Sequence, residues 1–240
     1  MTLIRSFLIA QRIPFTIGLP SFLTVLEAAG WVAFSILIAE LAGYFLHRLL
    51  HAETIRWLSR SHMEHHLEHY GPLKPMRPSP RYIDATTSRW SIGNVGLEWL
   101  VPSGAILSLF VAVFVVARIS WPYQASFVAI TLGWSAFMFS YLHDRMHIRE
   151  FWMEKNWFLK KWFIPARRLH DIHHYSLNDL GRMNHNFGIG FFFFDRVFRT
   201  FRSKHQGGLN WAGMEAARRR YNSAGQPKFH SDELSSQRSS

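Results

Sequence analysis

The sequence predicts an all-α integral membrane protein with three to four transmembrane helices and a cytosolic, histidine-rich helical cap. Hydrophobic residues make up 48% of the 240 positions and lie in a few long runs, which suits helices that cross a hydrocarbon core of about 30 Å. Histidines cluster where these runs end. Of the 27 Lys and Arg residues, 7 lie between residues 47 and 96 and 17 after residue 142. By the positive-inside rule, the histidine-bearing ends therefore face the cytoplasm.

Three apolar runs define the predicted membrane helices. Residues 1–20 mix apolar, basic and proline residues and are expected to form an interfacial segment. The first membrane helix is predicted from Phe22 to Leu46. Four prolines between residues 67 and 96 indicate a surface loop. Leu97 to Ala117 and Trp121 to Leu142 are then the second and third membrane helices, and the short turn between them makes the pair a hairpin.

The last third of the chain is predicted to lie at and beyond the membrane surface. Residues 151–165 alternate Phe and Trp with lysines, which is typical of a helix at the level of the lipid headgroups. The membrane domain is expected to cover residues 21–205. From residue 206 to 240 the composition is polar and Ser-rich, and we expect a disordered tail there.

Composition limits the partners and the metal chemistry. The net charge is +11, but no basic run of the usual nucleic-acid modules is present, and ten Trp residues among apolar runs favour a lipid bilayer over a nucleic acid as the partner. Cysteine is absent. This excludes disulfides, thiolate zinc sites and iron–sulfur clusters, so a metal would be held by His, Asp or Glu. Electrons, if a reaction needs them, must come from a separate protein.

Two halves of the chain repeat one histidine pattern, HxxxH followed by HxxHH. Residues at i, i+3 and i+4 share one face of a helix, and neutral imidazoles bind Fe, Zn, Cu and Ni. Ten histidines exceed what one metal accepts, so we predict two metals with about five ligands each and an open position for a small ligand. No catalytic residue is predicted beyond these ligands, which are His47, His51, His62, His65, His66, His143, His147, His170, His173 and His174.

Carboxylates near the pattern are candidates for orienting these imidazoles. Glu40 lies two turns before His47 on the same helix face and could accept a hydrogen bond from a ligand ring. Glu64, Asp144 and Asp171 lie inside the motifs and could do the same. Helix packing or a solvent-facing charge is the alternative role for each.

From His47 to Arg202 the histidine order, with membrane helices between the motifs, resembles the fatty acid hydroxylase / sterol desaturase superfamily of integral-membrane di-iron oxygenases. Two downstream segments, residues 186–188 and 195–200, resemble closing motifs of that superfamily, with Arg199 where a glycine is expected. The resemblance implies two non-haem iron ions, O2 as co-substrate, a separate electron donor and hydroxylation of a fatty acyl, sterol or sphingolipid substrate. It also implies that Asn186 supports the ligands.

Several alternatives stay open from the sequence. A carotenoid hydroxylase or a lipid desaturase fits the same histidine order and the same apolar helices. Outside this enzyme class, a membrane haem electron carrier would also use paired histidines on neighbouring helices, but it needs fewer of them and no HxxHH. A metal transporter should place its ligands at mid-membrane, whereas these histidines lie at helix ends.

Overall fold

Three long apolar helices dominate the computed structural model, which describes residues 22–70, 91–92, 95–204 and 210–223. They are α1 (Phe22–Ala52), α3 (Leu97–Val116) and α4 (Trp121–Ser135). The last of these continues through a π-helical stretch, Ala136–Leu142, into α5 (His143–Met146). Three spans, Thr24–Ala52, Trp99–Val116 and Trp121–Met146, are long and apolar enough to cross a membrane. The predicted all-helical membrane fold is confirmed.

The spans pack around an aromatic core and leave most of their surface apolar and exposed, as lipid contact requires. Phe127 of α4 is fully buried against Leu107 and Phe114 of α3. The indole of Trp31 in α1 donates hydrogen bonds to the Tyr123 carbonyl (3.0 Å) and the Ser126 hydroxyl (3.1 Å) of α4. These contacts join α1 to α4 at the end of the helices away from the histidines.

The first membrane helix continues beyond its predicted apolar span, Phe22 to Leu46. Helix α1 runs on to Ala52 because no Pro or Gly interrupts residues 44–52. His47 and His51 therefore lie on the same rigid helix as the membrane span. After a short turn, α2 (Arg56–Glu64) packs against α1 and continues into a π-helical turn, His65–His69.

The predicted interfacial helix over residues 151–165 is split in two. Helix α6 covers Trp152–Lys155, and α7 runs from Lys160 to Tyr175, through Pro165 and into the histidine motif. The Asn156 side chain makes the break, since its Oδ1 accepts hydrogen bonds from the backbone amides of Phe158 (3.0 Å) and Leu159 (2.9 Å). Such a local side-chain bond is how Asn initiates a turn or a helix.

Most of the predicted loop before α3 lies outside the described residues, and the structure describes its end. Ser91–Ile92 pairs antiparallel with Val95–Gly96, directly before α3. A short helix, α8 (Phe193–Val197), begins within the run of four Phe residues at 191–194, near the end of the membrane domain. The expected interfacial segment, residues 1–20, and residues 206–209 and 224–240 of the expected tail also lie outside the description.

The structure corrects one expectation about the tail. Residues 211–223 form a helix, α9 (Trp211–Ser223), although a disordered tail was expected from residue 206. Met214, Ala217 and Tyr221 recur at i, i+3 and i+7 and form a buried stripe on an otherwise polar helix. This stripe packs on four residues that lie within or after the two HxxHH motifs, namely Met63, Leu67, Leu177 and Met183.

Candidate metal centre

The ten histidines of the repeated pattern converge at one end of the long helices and divide into two groups. Within each group, one ring nitrogen per residue lies within 4.8 Å of all the others. The groups adjoin each other, since the rings of His66 and His174 stack with centroids 3.9 Å apart. We call them the first group (His47, His51, His62, His66 and His173) and the second group (His65, His143, His147, His170 and His174).

Each group takes four histidines from one half of the chain and one from the other half. The exchanged residues are the middle histidines of the two HxxHH motifs, His65 and His173. Helix geometry explains this choice. At 100° per residue, i and i+4 lie 40° apart, whereas i+3 lies about 60° to the other side of i. The outer two histidines of each motif therefore point into one group, and the middle one points towards its neighbour.

The buried ring nitrogens of each group cannot all satisfy one another by hydrogen bonding, because a neutral imidazole has only one N–H donor. In the first group, Nε2 of His51 lies 2.9 Å from Nε2 of both His62 and His173. Among the described residues, Nε2 of His47, His65 and His143 is buried with no hydrogen-bond partner. Unpaired buried polar atoms are costly. Convergent nitrogen lone pairs without donors are what a metal ion requires, so this donor set fits one in each group.

Burial keeps these imidazoles neutral, the form that binds metal. Among the residues outside the membrane spans, the loss of solvation lowers the pKa well below 6.5, and in most of them neighbouring imidazoles lower it further. The residues concerned are His62, His65, His66, His170, His173 and His174.

Two backbone carbonyls orient histidines of the first group. Nδ1–H of His47 donates to the carbonyl of Phe187 (2.6 Å), and Nδ1–H of His173 donates to the carbonyl of His185 (2.6 Å). A hydrogen bond at Nδ1 fixes the tautomer, so that Nε2 keeps its lone pair and faces the group. The segment 185–188 thus aims one histidine from each half of the chain at the same point.

Comparison with known proteins agrees with this geometry. The profile of the family described as fatty acid hydroxylase matches residues 32–200. The chain belongs to the fatty acid hydroxylase family. A search of curated proteins and a search of solved structures returned no match. The matched range contains all ten histidines but ends before α9. It confirms the superfamily that the histidine order resembled, whose members are oxidoreductases.

In this member of the hydroxylase family, Asp195 holds the segment that orients the histidines. Its fully buried carboxylate accepts hydrogen bonds from the backbone amides of Phe187 (2.7 Å) and Gly188 (2.8 Å) and from the Thr200 hydroxyl (2.7 Å). Burial raises the pKa of Asp195, and these three donors oppose the rise. Asp195 had no predicted role, although it begins the second closing motif, residues 195–200.

Asn186, which was predicted to support the ligands, is fully buried and ties helix α7 to the chain beyond α8. Its Nδ2 donates to the carbonyls of Leu169 (3.0 Å) and Arg202 (2.8 Å), and its Oδ1 accepts from the Arg202 amide (2.8 Å). Leu169 directly precedes His170, so Asn186 lies beside the ligand helix without touching a ring of either group through these bonds.

The replacement of a glycine by Arg199 leaves the turn in place. Arg199 adopts φ 60°, the left-handed conformation that glycine adopts at little cost. Hydrogen bonds from the backbone amides of Thr200 (2.8 Å) and Phe201 (3.0 Å) to the Asp195 carbonyl close the turn. The family's turn is therefore made here by a strained non-glycine residue.

The four predicted carboxylates have different surroundings. Glu40 is buried and accepts a hydrogen bond from the Trp134 indole (2.7 Å). Glu64 is partly exposed and lies 3.6 Å from the ring of His69. Asp144 and Asp171 are partly buried on the helices that carry their motifs. A role for any of them in orienting the ligands stays a prediction.

Proposed function

We propose that this chain is a membrane-bound di-iron oxygenase that hydroxylates a lipid with O2 and externally supplied electrons. The observation that carries the proposal is the division of ten histidines into two adjoining groups of five. All-imidazole donor sets accept iron, zinc, copper or nickel. Oxidation of a lipid requires a metal that changes its oxidation state, which zinc does not. Iron in both groups then agrees with the chemistry of the family.

In this proposal the ten histidines would hold the two ions, and the bound iron would supply the activation of O2 for attack on an unactivated C–H bond. The chain's other residues have simpler tasks. The carbonyls of Phe187 and His185 keep two imidazoles in the ligating tautomer. Low histidine pKa values leave the ligands unprotonated at neutral pH. Burial of the rings excludes water from the oxidising centre.

A lipid substrate is supported by the apolar wall that adjoins the first group. The Trp99 ring lies 6.3 Å from the rings of both His47 and His62. Phe139 stacks on Trp99 at 5.6 Å and packs over Gly43, where an added Cβ would overlap its ring. These residues belong to the membrane spans or adjoin them, so an acyl, sterol or sphingolipid chain could reach the centre from the bilayer.

The same proposal places the histidine end of the helices in the cytoplasm, on the basis of the Lys and Arg distribution. Reducing equivalents would then come from a cytoplasmic or membrane-bound donor protein, since the chain has no cysteine for an iron–sulfur cluster. A substrate dissolved in the membrane and a soluble donor could then approach the active site from opposite sides.

Lipid extracts from cells that express the native chain, His173→Ala or His230→Ala test the proposal. His230 lies outside the repeated pattern and serves as the matched control. Lipids that gain one oxygen with the native chain and His230→Ala, but not with His173→Ala, are the expected result. If lipids lose two hydrogens instead, the reaction is desaturation and not hydroxylation. Oxidised carotenoids would identify the chain as a carotenoid hydroxylase.

Metal analysis and absorption spectroscopy of active protein give a second test. Two non-haem iron ions per chain are expected. One metal per chain would contradict the two-group assignment. An intense Soret band without non-haem iron would instead identify a haem electron carrier.

A further inference from the structure

The turn between α6 and α7 exposes two large aromatic side chains. Trp157 is 72% exposed and Phe158 is 65% exposed. The turn is nevertheless well defined, because the Asn156 side chain caps the amides of Phe158 and Leu159. Exposed Trp and Phe on a fixed turn are unfavourable in water and typical of a membrane interface. We call residues 156–159 the aromatic turn.

Three exposed lysines surround the aromatic turn. Lys155 ends α6, and Lys160 and Lys161 begin α7. None of the three has an ion-pair partner within the described part of the chain, whereas the nearby Glu154 is paired with Arg167. The aromatic turn therefore combines apolar rings with three uncompensated positive charges, the composition that binds anionic lipid surfaces.

Ring contacts place the neighbouring residues beside the third membrane span, Trp121–Met146. The Trp152 indole donates a hydrogen bond to the Tyr141 hydroxyl (3.4 Å), and the Phe151 ring packs on the Tyr141 ring at 5.9 Å. Tyr141 is itself part of that span. Helix α6 therefore begins alongside the membrane helix, before that helix ends.

A second chain of rings links the start of α7 to the same span. The Trp162 ring lies 5.5 Å from the Phe191 ring, which stacks on the Trp134 ring at 6.0 Å. Trp134 lies twelve residues before the end of the span. The segments on both sides of the aromatic turn therefore pack towards the span, α6 directly and α7 through Phe191, which favours a turn at the depth of the lipid over one far out in solvent.

From these contacts we infer that the aromatic turn inserts Trp157 and Phe158 into the headgroup layer on the histidine side of the membrane, where Lys155, Lys160 and Lys161 bind anionic phospholipids. The turn would then fix the depth of α7, which carries His170, His173 and His174, relative to the bilayer. The inference goes beyond the proposed reaction and does not depend on it.

The absence of cysteine allows a direct test, since any introduced cysteine can be labelled alone. A nitroxide label on Phe158→Cys is compared with one on Arg219→Cys, an exposed position on the polar face of α9. Both proteins are placed in nanodiscs of phosphatidylcholine, with or without phosphatidylglycerol. Relaxation by oxygen, which partitions into lipid, and by a polar nickel chelate reports the depth of each label.

We expect the label at position 158 to favour oxygen over the nickel chelate and to move deeper when phosphatidylglycerol is present. Replacing the three lysines by Gln should abolish the dependence on phosphatidylglycerol, because each lysine near an anionic surface strengthens binding about fivefold. The label at position 219 should stay accessible to nickel throughout. A label on Trp157→Cys gives an independent reading if the first variant is poorly folded.

Equal nickel accessibility at positions 158 and 219 in both membranes would overturn the inference. The turn would then face water and be open to a soluble protein instead. If the depth of the label at position 158 is the same with and without phosphatidylglycerol, the assignment of the lysines to anionic lipids is wrong.

Discussion

Asp195→Asn should weaken the first histidine group and spare the second. The carboxylate accepts hydrogen bonds from the amides of Phe187 and Gly188 and from the Thr200 hydroxyl, all in a fully buried position. An Asn amide has the same shape but only one acceptor oxygen. Its NH2 group must therefore face one of the two backbone amides, which loses its acceptor.

A buried donor left without an acceptor costs about 1–3 kcal/mol, and the remaining bonds lose the strength that the negative charge gave them. We therefore expect Asp195→Asn to lower the free energy of unfolding by about 3 kcal/mol. The Phe187 carbonyl would no longer be held against Nδ1 of His47. Loss of such a support typically lowers metal affinity 10- to 100-fold.

The measurement is metal retained per chain after dialysis against a weak chelator, together with thermal unfolding in detergent. Asp179→Asn is the control, since Asp179 is exposed and accepts a hydrogen bond only at the surface from Asn210. The metal content of Asp195→Asn should fall towards half the native value, whereas that of Asp179→Asn should stay at the native value. Native metal content and stability in Asp195→Asn, or equal loss of metal from both groups, would contradict this prediction.

Three further predictions concern stability. The six histidines of the two groups that lie outside the spans, five of them buried and His65 partly buried, have folded pKa values below the ordinary 6.5. Below that pH only the unfolded chain takes up their protons, so stability is full above pH 6.5 and falls by about 1 kcal/mol per histidine between pH 6.5 and 5.5. A flat profile of unfolding temperature for the metal-free protein would contradict this. Arg199→Gly should stabilise the fold by about 1 kcal/mol in a denaturation assay, because glycine adopts the left-handed conformation without strain. In the same assay the control Arg196→Gly should destabilise the fold, because Arg196 lies within α8. Arg220→Met removes bonds to both Glu53 carboxylate oxygens and to the carbonyls of Leu180 and Gly181. We expect a loss of about 2 kcal/mol and faster hydrogen exchange in α9, with no such change for the exposed Arg219→Met.

The membrane spans and the ten clustered histidines could be predicted because each depends on local sequence. An apolar run of sufficient length predicts a membrane span, and a spacing of i, i+3 and i+4 predicts side chains on one face of a helix. The division of the histidines into two groups of five also followed from their number. Helical spacing separates the middle histidine of each HxxHH motif from the outer two, but only the packing of helices from the two halves brings His65 and His173 into the other half's group.

Other features depend on contacts that one-dimensional patterns do not encode. The carbonyls of Phe187 and His185 orient imidazoles that lie 140 and 12 residues away in the chain. Helix α9 looked like a polar tail, since only the three spaced residues Met214, Ala217 and Tyr221 mark its buried side. The break at Asn156 was not predicted, because the composition of residues 151–165 suits one continuous interfacial helix.

The exchange of the two middle histidines has a consequence for how the protein is made. A ribosome delivers the first four members of the first group by residue 66, but the fifth, His173, only a hundred residues later. The second group is finished by the next residue, His174. The two groups therefore become complete within one residue of each other during synthesis. A shorter nascent chain has no complete group that could bind an ion. If both groups bind metal as proposed, they would be loaded together, after all three spans have been made.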